Sequence, residues 1–165
     1  MFGEMRRKKQ ALPLEACEKI LERGTSGVLA LEGEEGYPYA VPLSYYYEKG
    51  KIFFHCGKRG YKIEALKRNE KVSFCVIDQD QIIPEEYTTY FRSVIVFGKI
   101  RILEGEGEKR RAIEKLALKY APEEPEEKTN RAIDREFSPL CMLELSIEHI
   151  SGKEAIELVR ENRER

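Results

Sequence analysis

In the stretch FFHCGKRGYKIEALKRN, Phe53 to Asn69, an apolar run ends at His55 and Cys56. The chain then turns through Gly57 and Gly60 and restarts with helical spacing. Lys58 and Arg59 lie in the turn, and Lys62 just beyond it. Glycines let a backbone approach a ligand closely and take up conformations closed to other residues. A helix beginning near Gly60 would aim its free N–H groups and the positive end of its dipole at the same place. Mobile cations, free amides and a permissive backbone together suit a phosphate group. The stretch fits neither the Walker A pattern nor G-x-G-x-x-G. A basic turn before a helix also reads as an ordinary solvated surface loop.

Other residues invite chemistry less strongly. Cys56 stands next to His55, but neighbouring strand residues point to opposite faces, so Cys56 reads as a packed thiol. Cys17, Cys56, Cys75 and Cys141 share no paired spacing and read as reduced thiols, not a disulfide framework. A zinc site would have to be assembled over long range from His55, Cys56, Cys75, Cys141 and His149, and no metal site is expected. PYAVPLSYYY, from Pro38, is a strand pattern containing Pro42, which cannot donate to a ladder and belongs at an edge or bulge. Free backbone groups there could meet a planar heterocycle with imide-like donors and acceptors. Tyr45, Tyr46 and Tyr47 read first as lining a core and a subunit contact.

The elements that must position these residues follow from periodicity. Pro13 can open a helix whose apolar face is Leu14, Cys17, Ile20 and Leu21, ending at Gly24. SGVLALEG, PYAVPLSYYYEKG and KIFFHC read as a three-strand meander with turns at EEGY and EKGK. Ile63 and Leu66 mark a short helix, and KVSFCVID a strand. QDQIIPEEYTT, residues 79–89, reads as a long loop. YFRSVIVFGKIRILEG is a long strand in which Gly98 marks a bulge or bend. A helix from Glu108, a second short helix from Thr129 to Phe137 and a last strand, LCMLELSIEHISGKE, complete the pattern.

These are six strands in mostly hairpin order with no β-α-β rhythm, so a mainly β fold with flanking helices is expected, a small antiparallel barrel. The expected organisation is a flexible N-terminal arm at 1–12, one domain at 13–152 and a charged C-terminal tail at 153–165. The 165 residues, 41% hydrophobic and 36% charged, suffice for one domain with a real core. A net charge of -1 does not point to nucleic acid. No run approaches the ~20 apolar residues of a membrane span, and no apolar region follows the N-terminal basic residues as in a secretory signal. A cytoplasmic protein is expected, with no membrane partner.

The segments GVLALEGEEGYPYAVPLSYYYEKGKIFFHCGKRGYKIEALKRNEKVSFCVI and TTYFRSVIVFGKI carry a resemblance. In their order, YPYAVPLSY, FHxxxxGxK, NxKVSFCV and SVIVFG, they resemble the pyridoxamine 5'-phosphate oxidase-like FMN-binding split barrels, nearest the nitroimidazole-resistance (Nim-type) branch. The likeness runs from about Gly27 to about Gly152. It implies a six-stranded antiparallel split β-barrel and a homodimer with FMN at its interface. It implies that Val41, Pro42, Leu43 and Ser44 meet the isoalloxazine edge and that Phe54 and His55 sit beside the flavin and its ribityl chain. Lys58, Tyr61 and Lys62 fall where the family holds the FMN phosphate, and Ser93 at a position that reaches the flavin. The implied activity is an oxidoreductase passing electrons from a reduced nicotinamide or other donor to a small aromatic or nitro-type acceptor. The alternative is a non-catalytic binder of FMN or of another phosphorylated or tetrapyrrole ligand. Two departures matter. Tyr61 stands where the branch commonly has histidine, and tyrosine does not titrate near neutral pH. The C-terminal arginine-histidine segment of the true oxidases is absent from HISGKEAIELV, which argues against vitamin B6 oxidation. No catalytic residue is assigned.

Overall fold

A computed structural model describes residues 2–164, the last three by backbone alone. Met1 of the expected arm and Arg165 of the expected tail lie outside the described residues. Helix α1 (Leu14–Arg23) starts directly after Pro13 and stops before Gly24, burying Cys17, Ile20 and Leu21. Strands β1 (Ser26–Glu32), β2 (Pro38–Ser44), β3 (Tyr46–Glu48) and β4 (Lys51–Gly57) follow. Next come α2 (Tyr61–Arg68), β5 (Lys71–Ile83) and β6 (Thr88–Ile102). Helices α3 (Glu106–Tyr120) and α4 (Glu126–Glu136), strand β7 (Leu140–Glu154) and α5 (Ile156–Glu164) end the described chain.

The fold is mainly β with flanking helices, and every strand pairing is antiparallel. The strands form one sheet in the order β2-β1-β5-β6-β7-β4-β3, seven strands where the periodicity gave six. The extra strand comes from a break at Tyr45, whose backbone groups leave the ladder for α3. Its N–H donates to the Tyr120 hydroxyl (3.0 Å), and its carbonyl accepts from Lys119 Nζ (3.2 Å). The sheet therefore begins and ends with two consecutive pieces of chain, Pro38–Ser44 and Tyr46–Glu48, so that its two edges meet at one residue without closing.

A second difference lies at residues 79–89. The expected loop is the extension of a hairpin, in which Ile82 pairs with Thr89 and Ile83 with Thr88. β-Branched residues favour extended backbone. The reversal is a single 3₁₀ turn at Pro84–Glu86, followed by Tyr87 at φ 51°. The bulge expected at Gly98 is present as a register shift between Phe97 and Gly98. A side chain there would collide with the Ser146 carbonyl, so the close strand approach requires glycine.

The inner faces of the strands enclose a core of Leu29, Ile52, Phe54, Phe74, Val94, Val96, Leu143 and Leu145. α1 plugs one end through Ile20 and Leu21, and α2 plugs the other through Ile63, Ala65 and Leu66. On the outer face, α3 covers β4 and β7, packing Ala112 and Leu116 over Met142, with Phe53, Tyr46 and Leu140 at the margin. The outer face of β1, β5 and β6 carries no helix, and Val28, Ile77 and Ile95 are exposed there. No helix among the described residues is long and apolar enough to cross a membrane.

Candidate functional site

The turn from β4 to α2 is built on Gly60, at φ 129° and ψ 169°. Only glycine occupies that region without strain, and a Cβ there would otherwise meet nothing, so the requirement is one of backbone conformation. Gly57 has an ordinary backbone, and the nearest atom to a Cβ there is 3.8 Å away. The turn thus needs one of its two glycines. Beyond Gly60, the N–H groups of Ile63 and Glu64 bond to the Gly60 carbonyl, while those of Tyr61 and Lys62 have no intrahelical acceptor. Lys58, Arg59 and Lys62 make no ion pair among the described residues, although Lys67 and Arg68 of the same helix pair with Glu64 and Glu34.

Tyr61 is fixed in place. Its hydroxyl accepts the Glu34 N–H (2.7 Å), and its ring packs edge-on against Tyr39 with centroids 4.6 Å apart. The side chain therefore ties α2 to the β1–β2 turn and still has its own O–H to donate. His55 is exposed on the outer face of β4. Partial desolvation, and secondarily the charge of Lys62, lowers its pKa from 6.5. The imidazole is thus neutral at pH 7 and near enough to Lys62 to sense it. Lys58 turns elsewhere, into a cleft between α2 and α3 that it shares with Lys67 and Lys109.

β2 is an edge strand, and the phase of its ladder is fixed by the Gly33 N–H donating to the Tyr37 carbonyl (2.8 Å). Alternation then directs the backbone groups of Val41 and Leu43 to β1 and those of Ala40, Pro42 and Ser44 to the open edge. Pro42 occupies an outward position, as its missing N–H demands. Val41 and Leu43 turn their side chains to the core, while Pro42 and Ser44 are exposed. From Tyr39, beside Tyr61, the open edge runs about 17 Å to Ser44.

The remaining candidates are placed less favourably. Phe54 is fully buried against Phe74, leaving only its backbone within reach of a ligand. Ser93 lies on the outer face of β6, opposite Ile77 and Lys153. That is three strands from β2, roughly 14 Å, and at the α1 end of the barrel. One copy of the chain does not bring it to the turn. Tyr45 is fully buried, Tyr46 packs near Phe53, and the Tyr47 hydroxyl donates to Glu18 (3.0 Å), so none of the three faces the open edge. His149 stacks on Phe2 at 4.6 Å. No group of three or more His, Cys, Asp or Glu among the described residues could hold a metal ion.

Sequence reasoning missed what anchors Tyr61, since Glu34 is 27 positions away and carries no local signal. It also missed a charged cluster at the α1 end. There Asp78, at the β5 bulge, is gripped through both oxygens by Arg23 (2.7 and 2.6 Å) and again by Arg92 (3.3 Å). Arg92 also reaches Glu154 (3.1 Å).

A family model described as pyridoxamine 5'-phosphate oxidase matches residues 13–154. No curated protein matches the chain. Among solved structures, a FAD-binding protein of Mesorhizobium loti is 26% identical with a TM-score of 0.66, over 88% of this chain and 97% of its own. A candidate 5-nitroimidazole antibiotic resistance protein of Bacteroides thetaiotaomicron is 22% identical with a TM-score of 0.70, over 87% of this chain and 85% of its own. A FAD and heme binding protein of Mycobacterium smegmatis is 19% identical with a TM-score of 0.71, over 89% of this chain and 73% of its own.

Proposed function

The chain belongs to the pyridoxamine 5'-phosphate oxidase family, and on that premise we propose that it is a flavin-binding protein which uses FMN as an oxidoreductase. The observation that carries this reading is the β4–α2 turn. Three cations within five residues lack ion-pair partners among the described residues, at a helix start with two uncommitted N–H groups. That combination fits a phosphate, and it adjoins an open strand edge about as long as a nucleotide.

Lys62 would neutralise the phosphate, together with the Tyr61 and Lys62 amides, and Tyr61 would donate its free O–H. Lys58 and Arg59 would swing in as mobile charges. The edge groups of Pro42 and Ser44 would orient the ring, offering a carbonyl acceptor and an N–H donor in the fixed alternation of an antiparallel strand. His55, neutral and beside Lys62, would border the ribityl chain. Bound FMN would supply the electron chemistry that no side chain here provides. The donor we propose is a reduced nicotinamide, and the acceptor a small aromatic or nitro compound.

The active form is proposed to be a homodimer with the cofactor at its interface. The uncovered outer face supports this. Val28, Cys75 and Ile95 lie opposite one another across three strands, and Ile77 adjoins them, 64% exposed. Ser93 borders the same face and would reach a flavin only from a second copy.

A visible spectrum of the purified protein, with an FMN titration, tests the reading. Flavin bands or saturable FMN binding in a particle of two chains are expected. A colourless protein that ignores FMN overturns it, and a Soret band favours a tetrapyrrole binder. Flavin that binds but is not bleached by NADH or NADPH under anaerobic conditions leaves the binding and removes the proposed donor.

A further inference from the structure

We infer that Cys56 and Cys141 form an oxidation site, a cross-strand dithiol that a small hydroperoxide converts to a disulfide.

β4 and β7 pair in a constant register that sets Cys56 directly opposite Cys141. The Ile147 N–H donating to the Gly50 carbonyl (3.0 Å) fixes the ladder's phase. By alternation, Cys56 and Cys141 exchange both backbone bonds, with Cα atoms about 5.5 Å apart. That separation lies within the commonest range for disulfides, about 5.5–6 Å. Both side chains point inward, Cys141 within the core and Cys56 packed against it. Both are free thiols. The other cysteines have no such partner. Cys75 faces Val28 and Ile95, and Cys17 lies on α1.

Cys141 is the more buried of the two, 5% exposed, and Cys56 is half-buried, but they differ in what lies beside them. Cys141 lines the cleft of about 370 Å³ that Lys58, Lys67 and Lys109 border together with Glu104 and Glu106. Lys109 is only 8% exposed and is anchored by donating to the Phe137 carbonyl (2.6 Å). The thiolate is the nucleophile toward peroxides, and Cys141 lines the cleft by which a small peroxide can approach. Cys56 does not line the cleft, and burial, then the neighbouring Cys141, push its thiol up to about 12. Cys141 is therefore the sulfur that reacts first, and Cys56 the one that resolves.

The Cys141 thiolate attacks the terminal oxygen of the hydroperoxide. The O–O bond breaks, and the departing alkoxide takes up the proton that Cys141 released, leaving an alcohol and a sulfenic acid. The Cys56 sulfur then attacks the Cys141 sulfur. The S–O bond breaks, and hydroxide leaves with the Cys56 proton as water. Two thiols have lost two electrons and two protons, and the peroxide has been reduced to alcohol and water. The new bond stands immediately before Gly57, where the basic turn starts. The inference does not depend on a bound flavin.

The test uses the full-length protein exposed to hydrogen peroxide, alkylated and digested with trypsin without reduction. The expected product joins Ile52–Lys58 to Glu136–Lys153, two hydrogens lighter than the separate peptides and cleaved by dithiothreitol. In Cys56→Ser, which leaves Cys141 in the core unchanged, a dimedone adduct should build up on Cys141. If both thiols of the folded wild-type protein alkylate equally with and without peroxide, the inference fails. It also fails if the disulfide joins any other pair, or if Cys56→Ser yields no adduct.

Discussion

The barrel has two ends, each plugged by a helix and rich in charge, and they treat that charge in opposite ways. At the α1 end, Arg23, Asp78, Arg92 and Glu154 satisfy one another, and the side chains of Asp78 and Glu154 are only 11% and 9% exposed. At the α2 end, Lys58, Arg59 and Lys62 have no carboxylate partners among the described residues. A closed network of mutually paired, partly buried charges has nothing left to offer a ligand. It fixes geometry, and removing one member strands the others. Unpaired cations at a helix start contribute little to stability and are available to an anion. The difference separates charge that holds the fold from charge that can act.

The largest test is at the α1 end. Arg92→Met leaves Glu154 without its arginine and should cost about 3 kcal/mol of stability in urea unfolding. FMN affinity should not change. Loss of affinity alongside stability would mean that the two ends are coupled. The same cluster carries a pH signature. Burial alone would raise the Asp78 pKa, but hydrogen bonds and attraction from Arg23 and Arg92 override it and hold the pKa below 3.8. A group depressed in the folded state stabilises above its unfolded pKa, and that contribution is lost as pH falls through the folded value. The urea midpoint should therefore drop below about pH 4, and Asp78→Asn should flatten that drop.

At the α2 end, Lys62→Ala should weaken FMN by about 1.5–3 kcal/mol, roughly ten- to a hundredfold, if it makes a charge-assisted bond to the phosphate. Stability should stay within about 0.5 kcal/mol of wild type. An unchanged titration would remove Lys62 from the site. The smallest effect is expected at Tyr61, which belongs to both categories. Tyr61→Phe loses the acceptor for the Glu34 N–H and should cost about 1 kcal/mol of stability. If FMN affinity falls as well, the hydroxyl also donates to the ligand. If only stability falls, its role is to hold α2 to the β1–β2 turn.

Much of this arrangement was legible in the sequence because it is local. The face of α1, the turn at Gly60, the edge position of Pro42 and the bulge at Gly98 each follow from a few adjacent residues whose geometry allows little choice. What was hidden is non-local. Nothing near Tyr45 signals that Lys119 and Tyr120 will take its backbone groups out of the ladder. Nothing near Ile82 distinguishes a loop from a hairpin arm until its pairing with Thr89 is known. Phe54 illustrates the limit within the site. Phe54 and its neighbour His55 were both expected beside the flavin, yet adjacent strand residues face opposite ways, and which of the two faces the core depends on strands far away in the chain.

The meeting of the two sheet edges at Tyr45 has a consequence for how the molecule is made. β3 and β4 join the rest of the sheet only through β7, as in the Lys51–Glu144 ion pair spanning 93 positions. During synthesis, the early hairpins can form while β4 still lacks its neighbour, and the half-sheet β2-β1-β5-β6 keeps its β6 margin bare until Leu140 has left the ribosome. Such long-range pairing is slow to assemble, so the last strand and the α3 stitch across Tyr45 would complete the barrel together. A nascent chain stalled before that point would expose its unpaired strands to others like it.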